Sequence, residues 1–522
     1  MAAREAARPT QQTRPVGPIR HLSQDERRAR GSQAAERTPP SSHFGWQPAQ
    51  DRPDPVALLE EQNTTREPDL VPVRHGRMMV SPFTFYRGAA KIMAADLKDT
   101  PVAGLDAQLC GDAHLSNFGM FASPERALLF DLNDFDETLP GPFEFDVKRM
   151  AASFLIAGRN NGFSKADARA AALASVMSYR ESMADFAQMP TMEIWYAHFE
   201  EDRFRAIIRD ALAEVSPGVK EPGVKDKKAK AAKPDKKVKA ATKKEQKEAK
   251  QAEVVREAAR RAEKNLEKAH TRDSVQALAK LGELVDGRYQ IVSQPPVIVP
   301  ARDLAATYGL SPDEVMPAIH EQFRAYRATL QDDRRRLLEK FEIVDAARKV
   351  VGVGSVGTRA FIVLLQGRDE QDPLFLQVKE ATTSVLEAYL PKSRYRQHGA
   401  RVVQGQRMMQ AASDIFLGWT KGIDVTRNFY WRQLRDMKGS AVVELMAPVT
   451  LRYYAQICGW TLARAHARSG DPVAMAAYLG RDDAFERSVT DFSERYADQN
   501  EQDYGEFAKA VRSGRLQAVE GV

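Results

Sequence analysis

The chain has 522 residues, 43% hydrophobic and 8% aromatic, too long for one compact core and suited to a globular protein of two or three units. No apolar run approaches the roughly 18 residues that suggest a membrane span, and the first residues lack the apolar stretch of a secretory signal. The two cysteines, Cys110 and Cys458, lie far apart, which excludes a disulfide framework or thiolate metal site and makes a reducing cytoplasm the expected setting. The formal net charge is +6, but much of it belongs to one tract, Lys220–Lys268, and the remainder is close to neutral.

Residues 1–50 are rich in Arg, Gln, Pro and Ser without hydrophobic periodicity and are expected to be a disordered extension. Order is expected from Asp54–Leu59 and more firmly from "RHGRMMVSPFTFYRGAA" (Arg74–Ala90). Short apolar stretches at Gln108–Cys110 and Leu128–Phe130 suggest strands. In "FDVKRMAASFLIAG", Val147, Met150, Ala151, Phe154 and Leu155 recur at the spacing of an amphipathic helix. Ser164, with Asp167 three residues on, then caps a second helix, and helix continues to about Val215.

Residues 216–268, rich in Lys, Ala and Glu, look like a solvated insertion, disordered or partly helical. A second reading makes them a weak basic arm for nucleic acid or an acidic partner. The tract has no aromatic residue to stack on bases, which counts against sequence reading. Residues 269–345 are expected to be a helical connector. In 346–440, "VVGVGSVGTRAFIVLLQG" and "DPLFLQVKEA" predict two strands joined by a turn. Residues 441–522 predict C-terminal helices; in the first, Leu451, Tyr454, Ala455, Cys458, Leu462, Ala465 and His466 share a face. The fold class is therefore α+β, with residues 51–215 and 441–522 building a helical part and 346–440 a small sheet.

The stretch "LCGDAHLSNFGMFASPERALLFDLNDFDET" (Leu109–Thr138) concentrates acidic and amide side chains between those first two strands. It reads as a metal cage, a phosphate-handling site or a solvated loop. The spacing Asp112-x-x-x-x-Asn117, followed by Asp134, suits phosphoryl transfer: one carboxylate takes a proton from an attacking hydroxyl while an Asn and a second Asp hold Mg²⁺. That spacing is common by chance, and the alternative is an Asx-rich turn between strands. His114 reads as scaffold, because no His or Cys stands at ligand spacing. His466 reads as a buried, hydrogen-bonded core residue, and the methionine pairs as core filler.

Gly352, Gly354 and Gly357 form a G-x-G-x-x-G run followed by a strand rather than a helix, which argues against a dinucleotide-binding turn. Glycines there let backbone amides approach phosphates, and Lys379, ending the next strand, can neutralise their charge. The bland alternative is a hairpin with a surface lysine. Glu387 is the candidate carboxylate partner of Lys379. Asp131 and Asp136 stand as substitutes for Asp134. Arg87 in "YRG" and Arg432 in "WRQLRDMKG" suit phosphate or salt bridges alike.

"CGDAHLSNFGMF" with "FDLNDFDETLPGPFEFD" resembles the catalytic and metal loops of aminoglycoside-phosphotransferase-type kinases. The resemblance implies Asp112 as catalytic base, Asn117 and Asp134 as metal ligands, and Asp146 as a structural aspartate opening the next helix. "LARAHARSG" resembles the helix such kinases place before their catalytic loop. From about residue 54 to 510, outside the lysine tract, the chain is similar to the DUF2252 family. The glycine loop and Lys379 come after the catalytic loop, so the resemblance implies a two-lobed kinase-like fold in circularly permuted order. Cys110 stands where these kinases often have His, which implies loss of a hydrogen-bonding scaffold role. Phe429–Lys438 fits a strand and hinge against which adenine would stack.

The expectation is an ATP- and Mg²⁺-dependent phosphotransferase acting on a small hydroxylated molecule. The alternatives are a non-catalytic nucleotide-binding module, adenylyl transfer by the same residues, and a metal-dependent phosphoesterase that would give Lys379 no role.

Overall fold

The computed structural model describes residues 21–215, 243–285, 288–350, 352–434 and 437–521. Order begins earlier than composition suggests. Ser23 and Glu26 form a capping box that opens helix α1, Gln24–Arg37. Its Gly31 lies so close to a later helix that an added Cβ would stand 2.1 Å from the Ala474 carbonyl oxygen. A disordered reading thus fails for this segment, because a small-residue contact anchors a helix too polar to betray itself by periodicity. Residues 1–20 lie outside those described.

Four short helices follow: α2 (Pro55–Asn63), α3 (Val71–Met79), α4 (Pro82–Gly88) and α5 (Ala90–Leu97). Strand β1 (Asp106–Leu109) leads into the acidic stretch. Strands β2 (Phe118–Ala122) and β3 (Leu128–Leu132) make a hairpin within it, and β4 (Leu139–Pro142) closes it. Because β1 and β4 pair antiparallel, with Leu109 opposite Leu139, both ends of the stretch return to one place. Next come α6 (Phe143–Asn160), α7 (Lys165–Phe186), α8 (Thr191–Tyr196), β5 (Phe199–Glu200) and α9 (Glu201–Val215). Ser164 caps α7 by accepting from the Asp167 N–H, as expected. Helix α6 is not amphipathic: every residue from Phe143 to Gly158 is buried. A helix enclosed on all sides can carry polar residues only where each finds a partner, and several of these serve the site.

Helix α10 (Lys243–His270) packs on α9 through Arg205–Glu263 and His270–Glu201 pairs, with Leu266 and Ala269 buried. The second half of the lysine-rich tract is thus helical, in line with its partly helical reading, and docked at its C-terminal end; residues 216–242 lie outside those described. The connector is mixed rather than helical: α11 (Ser274–Leu281), β6 (Gly282–Val285), β7 (Arg288–Ile291), β8 (Ile298–Pro300), α12 (Pro312–Arg327) and α13 (Asp332–Leu338). Then come β9 (Glu342–Lys349), β10 (Ala360–Gln366), β11 (Pro373–Glu380), α14 (His398–Met409), β12 (Gly418–Lys421) and β13 (Asn428–Gln433). They form a six-stranded antiparallel sheet in the order β12-β13-β11-β10-β9-β8.

Strand β14 (Gly439–Ser440) returns the chain to the helical part by pairing with β2. Helices α15 (Pro448–Ala467), α16 (Pro472–Leu479) and α17 (Ala484–Arg512) complete the chain, and α15 and α17 pack on α6 and α7. The architecture is mixed α+β. Among the described residues no helix is long and apolar enough to cross a membrane.

Candidate functional site

The loop after β1 is held by buried groups from several elements. Asp146 on α6 accepts from the backbone N–H groups of Cys110 (2.7 Å) and Gly111 (3.0 Å), and His466 Nε2 lies 3.3 Å from the same carboxylate. His466 is completed by the Tyr179 hydroxyl at 2.9 Å, so it is the satisfied core histidine its position on an apolar face suggests. Gly111 adopts φ +83°, and a Cβ there would meet the Glu137 carbonyl oxygen at 2.3 Å. The Cys110 thiol donates to the Asp134 carbonyl at 3.1 Å. A hydrogen-bonding role is therefore kept at this position, contrary to the expectation for Cys in place of His, because the thiol acts as a weak donor.

Asp112 is fixed by Arg149 of α6, whose Nε donates to Oδ1 at 2.8 Å. Arg149 also donates to the Tyr86 carbonyl at 2.8 Å and stacks 3.9 Å over the Tyr86 ring. Burial raises the Asp112 pKa, with Arg149 pulling the other way. The Asn117 side-chain N–H donates to the Asp112 carbonyl at 2.7 Å, so its oxygen is the atom it would present to a cation. His114 is scaffold: its Nδ1 accepts from the Ser116 N–H at 3.2 Å. Burial, with Arg149 and Arg87 nearby, keeps it neutral by lowering its pKa.

Lys379 reaches this loop from the sheet. Its Nζ is 2.6 Å from Asp136 Oδ2 and 3.5 Å from Asp134 Oδ1, across 243 positions of sequence. Tyr430, opposite Lys379 on β13, donates to Asp136 Oδ1 at 2.7 Å. Burial works against the Lys379 charge, but Asp134 and Asp136 outweigh it and its pKa is raised. The same cations set the two aspartates apart. Burial and Asp136 raise the Asp134 pKa; burial also disfavours ionised Asp136, but Lys379 and Tyr430 prevail and lower its pKa. Asp136 is thus the lysine's partner. Glu387 is not: its ion pair, at 3.9 Å, is with Arg401, and His398, whose pKa burial and Arg401 lower, lies at the same distance. The chain between β11 and α14 carries it to the cavity wall beside Arg401. Asp131 is no substitute ligand either, since it is buried in a pair with Arg464.

The glycine loop joins β9 to β10. Gly352 (φ +67°) and Gly357 (φ +89°) both need the left-handed region. Arg66 donates to the Val356 carbonyl, and the Glu67 N–H donates to the Gly357 carbonyl at 2.8 Å. Ser355 Oγ lies 3.3 Å from Asp136. Asp112, Asn117, Asp134, Gly352, Gly354 and Glu387 all line one cavity of about 930 Å³. Lys379 closes a smaller neighbouring cavity that shares Asp134, Gly352 and Ser355 with it. Gly357 lies on Arg66 at the base of the loop rather than at the cavity.

Among the described residues no three His, Cys, Asp or Glu side chains stand together as a metal cage. Asp134 and the Asn117 oxygen fit a hard cation such as Mg²⁺ only as a two-residue set, which suits an ion that draws its other ligands from phosphate and water. The expected adenine wall is absent from β13: Phe429 and Trp431 face the opposite side of the sheet, where Trp431 stacks on Tyr326 at 4.6 Å. Strand alternation places Tyr430 and Arg432 on the site side.

Sequence reading missed Arg149, Tyr430, Arg66 and Glu137. Only Glu137 left a signal, its place in the acidic run. It accepts from the Val385 N–H at 2.7 Å, and burial pushes its carboxyl up to about 7 against that bond and Arg401. A carboxyl raised in the folded state favours folding while protonated, and that advantage is lost as pH rises from its unfolded value near 4.5 through about 7. Glu137→Gln should therefore match wild type in thermal stability at pH 4 and exceed it at pH 8, by about 3 kcal/mol at most. Thermal melts across that range check the sign; a difference independent of pH would refute it.

Fold and site together define an α+β protein in which an Asp/Asn loop and a glycine loop line one polar cavity, with a buried lysine at a cavity beside it. The chain belongs to the family described as uncharacterized protein conserved in bacteria (DUF2252), whose model matches residues 66–252 and 226–510. No curated protein and no solved structure matches it.

Proposed function

We propose that the chain is a Mg²⁺-dependent phosphotransferase that moves a terminal phosphoryl group, with ATP as the expected donor, to the hydroxyl of a small molecule. The observation that carries this reading is that one cavity gathers Asp112, Asn117, Asp134 and the glycine loop. The order of glycine loop, strand and lysine is that of protein kinases, and its place after the catalytic loop supports the reading of a permuted kinase-like fold. Asp112, held by Arg149, would accept the proton of the acceptor hydroxyl as its oxygen attacks phosphorus. Its raised pKa makes it a better base than a solvated aspartate. Asn117 and Asp134 would hold Mg²⁺, which neutralises phosphate charge when bound. Lys379 is aimed by Asp136 and Tyr430 and would stabilise charge on the leaving phosphate.

A test is phosphate release from Mg·ATP, with water as acceptor, by wild type and Lys379→Ala. The variant should lose roughly 100-fold or more. Release untouched by the substitution would favour a phosphoesterase using the acidic residues alone. The commitment of Lys379 to two aspartates also supports a second reading, a nucleotide-binding module without turnover. A thermal shift with Mg·ATP and no release with any acceptor would favour it.

A further inference from the structure

The smaller cavity, about 430 Å³, is lined by Arg272, Lys280, Lys349, Lys379, Arg432 and Lys438; Asp134 is the carboxylate on its lining, and Asp136 pairs with Lys379 beside it. The six cations come from six separate segments: the residues after α10, α11, the end of β9, β11, β13, and the lead into β14. Arg432 donates to the Gln377 side chain (2.9 Å) and the Asn133 carbonyl (3.1 Å), and Arg272 donates to the Lys438 carbonyl (2.7 Å). The direct hydrogen-bond acceptors of both guanidinium groups are neutral; against burial, the field of Asp134, Asp136 and Asp414 raises the Arg432 pKa. Among the described residues of the lining, Leu434 is the only apolar side chain, and neither cavity is lined by Phe, Tyr or Trp. A pocket for a nucleobase is mostly apolar, with few polar groups, and asks for cations only where the phosphates lie. Here positive charge is supplied from every side.

We infer that this basic cavity binds a chain of linked phosphates, as in inorganic polyphosphate, which serves as phosphoryl donor. The inference rests on the phosphotransferase reading for the transfer itself, but not for the binding. The two cavities share Asp134, Gly352 and Ser355, so a phosphate chain in the basic cavity would end beside residues that also line the cavity of Asp112. In the transfer, the acceptor oxygen forms a bond to the terminal phosphorus and its proton passes to Asp112. The bridging P–O bond breaks, and the chain leaves one phosphate shorter, its new terminal charge met by the lysines. The docked end of the lysine-rich tract acquires a role, since Arg272 follows α10 directly.

Calorimetric titration of the full chain in Mg²⁺ with sodium tripolyphosphate, ATP and AMP tests this. Tripolyphosphate should bind at least as tightly as ATP, AMP should not bind, and affinity should fall steeply with salt. Lys280→Glu, on an exposed position of α11, and Arg272→Glu should each weaken tripolyphosphate by about tenfold or more. ATP binding more than tenfold tighter than tripolyphosphate, no tripolyphosphate binding, or affinity unchanged in both variants would each overturn the inference. If tripolyphosphate binds as expected and yet neither it nor ATP releases phosphate, the binding assignment stands and the phosphotransferase reading falls.

Discussion

Asp112→Asn should reduce phosphate release from Mg·ATP by a factor of about 10² to 10⁴ while leaving donor affinity nearly unchanged. The amide keeps the size of the side chain but cannot take the acceptor's proton. The fold should survive, because Arg149 retains its bond to the Tyr86 carbonyl and its stack on the Tyr86 ring when the ion pair is lost. The donor's predicted contacts lie with Lys379, Asp134 and the glycine loop, which explains why binding is spared. Release by the variant equal to wild type would remove Asp112 from the base role. Paired with Lys379→Ala, the result separates proton transfer from charge stabilisation.

The largest loss of stability is expected at Arg464→Met. Arg464 and Asp131 form a pair in which each side chain is only 1% exposed. Arg464 also donates to the Met409 carbonyl (2.5 Å), and Asp131 accepts from the Ala411 N–H (2.9 Å). The pair thus ties β3 and α15 to the end of α14, at the seam between the helical part and the sheet. Removing the guanidinium leaves a buried carboxylate without its partner, at a cost of about 3–5 kcal/mol. Denaturant unfolding measures it. Adding Asp131→Asn should recover part of the loss by removing the uncompensated charge; a double variant no more stable than the single would show that packing, not charge, is what Arg464 supplies.

The elements flanking the site were legible in the sequence because their signals are local. Runs rich in Val, Ile, Leu and Phe mark β10 and β11, the Ser164 cap opens α7, and glycines mark the turn between β9 and β10. The role of His466 also follows from its place on an apolar face, while that of Asp146 was implied by the resemblance to the kinase loops. Helix α1 was not legible: its anchor is Gly31 against Ala474, a contact invisible to composition. The docking of α10 is likewise tertiary, since a Lys-rich helix reads as solvated until Leu266 and Ala269 find a partner.

What the sequence determined by itself is the chemical inventory: an Asp/Asn loop, an acidic follow-on, a glycine loop and a lysine at a strand end. Each depends on residue type and short spacing alone. Only the tertiary structure decided the pairings. Lys379 takes Asp136 rather than Glu387, Asp131 is withdrawn to Arg464, and Arg149 secures Asp112 from the buried α6. It also decided which strand residues face the cleft, placing Arg432 there and Trp431 behind. The reason is that charge pairing acts over a few ångströms between groups that the chain separates by hundreds of positions. Such partners are chosen by packing and desolvation, for which the local sequence carries no mark.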